Sequence, residues 1–127
     1  MTQDDSQQSD GIARRETSSD ILAAREARQL VRPVHQKLGP WQAESIKLET
    51  IVGRLAAAGR HDPAVSVAAK SLLGSVHKEV RDFERAVGKA PEPVRVHGRV
   101  ADTRMVLQLV EQRISATLSR MDQISKR

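Results

Sequence analysis

Four histidines, His35, His61, His77 and His97, are the side chains here that change charge near neutral pH without help from their surroundings. To hold a metal they would need carboxylates or further histidines at helical spacing. The chain has no HExxH, no Glu-x-x-His repeated on a second helix, and no other ligand set of that kind. Cysteine is absent, which removes disulfides, thiolate nucleophiles and cysteine zinc sites together. No Gly-x-Ser-x-Gly elbow and no glycine-rich phosphate loop followed by Lys-Ser or Lys-Thr occurs. The close carboxylates Asp82 and Glu84 sit among arginines, a solvated setting unlike that of a general acid. The expectation is a protein with no catalytic residues, no cofactor, no metal and no small-molecule substrate.

One short segment carries a sharper suggestion. His35-Gln36-Lys37-Leu38-Gly39 resembles the histidine phosphotransfer module, a four-helix bundle whose exposed phosphorylatable histidine is followed at set spacing by lysine and glycine. The resemblance implies phosphoryl acceptance on His35. The pattern departs from the family's in that Lys37 follows after two residues instead of three, and Gly39 leads into Pro40.

Arginine suggests a different chemistry. Arg99, Arg113, Arg120 and Arg127 share one heptad position near the C-terminus, interrupted by Val106, while Arg25, Arg28 and Arg32 share one helical face, and so do Lys78, Arg81 and Arg85. Guanidinium forks suit phosphate or carboxylate, and two such stripes side by side could follow a phosphate backbone by counterion release. A solvated face laced with Glu79, Glu84, Glu111 and Asp122 is the plainer alternative. Base reading is not expected, because neither a cysteine-histidine finger, nor an aromatic base-stacking segment, nor a compact helix-turn-helix is present.

The elements that must position these residues follow from composition and spacing. The 127 residues suit one domain, the net charge is +5, and aromatics make up 2%, so a core must be built from Ala, Val, Leu and Ile in closely packed helices. Residues 1–19 have four acids against Arg14 and Arg15, a net of −2, which leaves +7 on the rest. No apolar run is long enough to span a membrane, and the start lacks the basic and apolar regions of a signal peptide; a cytoplasmic location is expected. Residues 1–17 are polar and aperiodic, which predicts a disordered tail. The remainder, 18–127, reads as one all-α domain, an antiparallel four-helix bundle, with helices over about 20–38, 41–58, 63–87 and 95–126. Pro33 predicts a kink, Gly39-Pro40 a break between the first two helices, Gly59 a C-terminal cap, and Asp62-Pro63 an N-cap and first turn. Lys89-Ala90-Pro91-Glu92-Pro93 predicts a stiff extended connection.

The last helix has the most regular pattern. Val100, Thr103, Leu107, Val110, Ile114, Thr117, Met121 and Ile124 alternate by three and four, a coiled-coil-like heptad. At about 1.5 Å per residue this helix is roughly 40–50 Å long, against under 30 Å for each of the first two. A seam longer than its neighbours would need another surface. The expected function is therefore non-enzymatic macromolecular binding, as a regulator, adaptor or chaperone-like factor, with the seam holding a second copy or another protein. If instead the first two helices lie nearly end to end, they cover the seam and the expectation lapses. Nucleic-acid backbone binding through the arginine stripes is the alternative, and phosphotransfer the second alternative.

Overall fold

The computed structural model describes the backbone of residues 2–125 and the side chains of residues 19–124. The expected tail over 1–17 and the last arginine, Arg127, lie outside the residues described with side chains. Among the described residues four α-helices pack into an all-α bundle: α1 (Thr2–Ala58), α2 (Pro63–Lys89), the short α3 (Glu92–Arg95) and α4 (Gly98–Ser125). Among the described residues there is no strand.

The four helices are not the four expected. Gly39 and Pro40 do not end a helix; Pro33 and Pro40 both lie inside α1, so the stretches 20–38 and 41–58 are one element. A proline in a helix interior costs about 3 kcal/mol through a lost hydrogen bond and a clash with the carbonyl four residues back. Here both prolines are exposed, as are Gln29 and Gln36, whose carbonyls lose their partners. Water can satisfy those carbonyls. On the opposite side one stripe continues unbroken: Ala27, Val31, Val34, Trp41, Ser45, Leu48 and Val52 are buried, with Leu38 half-buried between Val34 and Trp41. The step of three from Leu38 to Trp41 keeps the heptad in phase through the proline.

The ends of α2 are set locally. Gly59 adopts φ 64, the left-handed conformation that glycine takes without a Cβ penalty. Asp62 then caps α2, its Oδ1 accepting from the Ala64 N–H at 3.0 Å. The connection expected to be extended over Lys89–Pro93 instead contains α3, whose Val94 is buried while Glu92 and Pro93 stay in solvent. Burial of that one valine against the tops of α1 and α2 is what proline stiffness alone does not convey.

Successive long helices are antiparallel, so α1 and α4 run parallel. His35 meets Thr103 and Glu49 meets Arg113, both advancing together, whereas Glu84 meets Arg104 and His77 meets Glu111 in opposite senses. The α1 stripe from Ala23 to Val52 spans about 44 Å, and the α4 seam from Val100 to Ile124 about 36 Å. The length mismatch expected from separate helices does not exist. All eight seam residues are buried within the chain, none more than 6% exposed. Their upper part packs with Val31, Val34, Trp41, Val76 and Phe83, and Met121 and Ile124 with Leu48, Val52, Val65 and Ala69.

Two outcomes check this account. Leu107→Ala should lower the unfolding free energy by about 2–5 kcal/mol, as for a fully buried leucine, by the same amount at every protein concentration; a concentration-dependent loss would return the seam to a partner. Pro40 is exposed in the interior of α1, where an alanine would restore the hydrogen bond to the Gln36 carbonyl. Pro40→Ala should therefore raise stability by up to about 3 kcal/mol in denaturant titrations, and a variant no more stable than wild type would contradict a continuous α1.

Candidate functional site

The parallel pairing of α1 and α4 puts their outer sides on one long face. At its upper end Arg25, Arg28, Arg32 and His35 of α1 and Arg99 of α4 line a groove of about 530 Å³, with Gln29 and Val31. The side chains reach it because Arg25, Arg28, Arg32 and His35 follow one another by three, four and three along α1, each next to the buried stripe but outside it. Arg99 enters from α4 one residue before the first seam valine, Val100. The α1 stripe and the C-terminal stripe, separate in sequence, are thus neighbours in space.

His35 fixes the local register. Its Nε2 lies 2.9 Å from Thr103 Oγ1, so a buried seam threonine is joined to an exposed histidine on the adjacent helix. Thr117, at the equivalent heptad position, behaves differently and donates to the carbonyl of Arg113 at 2.9 Å, the back-bond available to any helical threonine. Only Thr103 of the two therefore links helices. The histidine singled out for phosphoryl chemistry has the ring nitrogen Nε2 occupied by this contact. His61, His77 and His97 lie elsewhere: His61 Nε2 is 3.4 Å from Ser66 Oγ, His77 Nε2 is 3.6 Å from Glu111 Oε2, and His97 Nδ1 accepts from the Arg99 backbone N–H at 3.1 Å. Among the described residues no three metal-ligating side chains come together.

Charge separates this groove from the others. Lys37 pairs with Glu79 across α1 and α2. Arg104 makes a two-pronged bond to Glu84 across α2 and α4, at 2.9 and 3.1 Å. Lower on the α1/α4 face, Arg113 forms an ion pair with Glu49, Nε lying 2.9 Å from Oε1. The guanidiniums of Arg25, Arg28, Arg32 and Arg99 have no carboxylate partner among the described residues. Like charges three and four residues apart on a helix oppose its formation by about 0.2–0.5 kcal/mol a pair.

Further down, Gln42, Val106, Leu109, Val110 and Arg113 line an uncharged depression broken only by that arginine. Ile46 and Leu109 are both exposed large hydrophobics on this stretch. The lowest part is a groove of about 590 Å³ lined by Glu49, Thr50, Val52, Arg113, Ala116, Thr117 and Arg120. Arg120 crosses it above Gly53, where an added Cβ would lie 3.9 Å from its Nη1. Of the four C-terminal arginines, Arg99, Arg113 and Arg120 therefore share the α1/α4 face. Lys78, Arg81 and Arg85 are exposed on α2 and line none of these grooves. The role of Glu49 as the partner of Arg113 leaves no trace in the sequence pattern, since a glutamate so distant along the chain carries no local signal.

Comparison with protein-family models, with curated proteins and with solved structures finds no match to this chain. No helix among the described residues is long and apolar enough to cross a membrane.

The unpaired arginines give a direct check. Arg28 has like-charged neighbours at Arg25 and Arg32, so Arg28→Gln should raise stability at low ionic strength by about 0.4–1 kcal/mol. The gain should vanish at high salt, where exposed charges are screened. A destabilisation at low salt would mean that Arg28 has a structural partner.

Proposed function

We propose that this chain is a non-enzymatic binding protein whose working surface is the α1/α4 face, and that its ligand is the phosphate backbone of a nucleic acid, held without reading bases. The single observation that carries this reading is the convergence of Arg25, Arg28, Arg32 and Arg99 on one groove with no carboxylate among the described residues to neutralise them. An anion in that groove replaces repulsion among guanidiniums with charge-assisted hydrogen bonds. The alternative that a protein or a second copy binds through the α4 seam loses its motivation, because the seam is already covered by α1 and α2. The reading stays within macromolecular binding and puts the contact on the basic edge beside the seam.

The face suits backbone contact and not base readout. The only tryptophan and the only phenylalanine, Trp41 and Phe83, are 8% and 3% exposed, so neither of these rings is offered for stacking.

Fluorescence anisotropy with labelled duplexes of unrelated sequence tests the proposal. Binding should be similar across sequences and fall with salt, log K against log salt having a slope of about −0.9 for each phosphate engaged. Arg28→Gln, Arg32→Gln and Arg99→Gln should each reduce the steepness by about one. Absence of binding at low salt to any nucleic acid would refute it.

A further inference from the structure

The basic residues of the α1/α4 face form two stations, and their separation says what kind of nucleic acid fits. We infer that the ligand is a duplex of at least one helical turn, laid along the bundle axis so that its backbone touches both stations; this rests on the phosphate-backbone reading above.

The upper station is the groove of Arg25, Arg28, Arg32 and Arg99. Arg113 and Arg120 form the lower one. Between them the depression at Gln42, Val106 and Leu109 carries no charge until Arg113 is reached. Along α4, Arg99 and Arg113 are fourteen residues apart, about 21 Å, and Arg99 and Arg120 about 32 Å. The contact between His35 and Thr103 sets α1 and α4 level at those two residues. Arg25 lies ten residues before His35, about 15 Å above that level, and Arg120 lies seventeen residues beyond Thr103, about 25 Å below it. The whole face from Arg25 to Arg120 therefore measures about 40 Å.

A B-form duplex repeats about every 34–36 Å. One laid along this face must bring backbone past both stations within about one turn, and the uncharged depression then lies where a groove, and no phosphate, faces the protein. A single strand has no such fixed repeat, and the tryptophan and phenylalanine on which its bases would stack are buried here. Glu49 holds Arg113, and so keeps the lower station weaker than the upper.

The test compares binding of the full chain to hairpin duplexes of about six and about fourteen base pairs, lengths chosen below and above one turn, to a single strand of dT as long as the longer hairpin's stem, and to polyglutamate, each as a function of salt. The longer hairpin should show a steeper slope than the shorter by about one to two, at about 0.9 per added phosphate; a larger number of equivalent registers on the longer duplex cannot change the slope. Glu49→Gln should steepen the slope for the longer hairpin by about 0.9, so that the ratio of variant to wild-type affinity rises about threefold for each threefold drop in salt, while leaving the shorter one unchanged. Equal slopes for the two hairpins, or a Glu49→Gln variant that acts on both alike, would overturn the two-station arrangement. Equal binding of single strand or polyglutamate would overturn the duplex. Absence of binding to every probe would instead overturn the phosphate-backbone reading itself.

Discussion

Everything on the α1/α4 face depends on α1 continuing through Gly39 and Pro40. The interior proline costs about 3 kcal/mol and the glycine about 1 kcal/mol relative to alanine. Against this stands the burial of Val34, Trp41, Leu48 and Val52 on one side of a single helix, each large side chain contributing about 1.5–3 kcal/mol. A break at Gly39 would free the lower half of α1 to rotate, and its stripe would lose Met121, Ile124 and Val65, the lower core that gives it a partner. The helix therefore continues because stopping forfeits more than the proline costs. The cost is also kept low, since both prolines are on the exposed side.

Continuity in turn sets the direction of α4. With one long first helix, the up-down-up path returns the last helix parallel to the first, and residues in the same order along both helices come into register. That is why arginines in the upper part of α1 meet the arginine at the start of α4, and why Glu49 finds Arg113 lower down. An antiparallel pairing of the same two stripes would have placed Arg25, Arg28 and Arg32 near Arg113 and Arg120 instead. The contact between His35 and Thr103 ties that register with a polar group on each side, which a wholly apolar seam does not do.

Much of the fold was legible because the helical periods are regular. The stripes of α2 and α4 and the caps at Gly59 and Asp62 follow from spacing and residue type alone. What misled was local punctuation. Gly39-Pro40 is a strong break signal by propensity, yet the step from Leu38 to Trp41 keeps phase across it, and phase reports tertiary packing where propensity reports only the local chain. By propensity alone the proline splits α1 in two, and two short helices leave the α4 seam longer than its neighbours and in need of a partner. The arginine stripes were visible one by one, but which of them would meet depended on the parallel pairing, and that depended on the same proline. His35 drew attention for its resemblance to a phosphotransfer segment, whereas its neighbours in space are arginines and a threonine from residues too distant for a short motif to include.

The distribution of carboxylates argues that the upper groove is not arranged for stability. Lys37, Arg104 and Arg113 each cross a helix boundary to meet an acid, at Glu79, Glu84 and Glu49, whereas other exposed cations such as Arg54, Lys70, Arg81 and Arg95 have none among the described residues. Such exposed pairs contribute up to about 1 kcal/mol each, and a glutamate in place of Gln29, which lines the groove, would supply the same relief there. The chain has instead a neutral amide amid four guanidiniums. What sets this groove apart is the convergence of four unpaired cations on one concavity, where residues that attract a ligand leave their charge uncompensated until the ligand arrives.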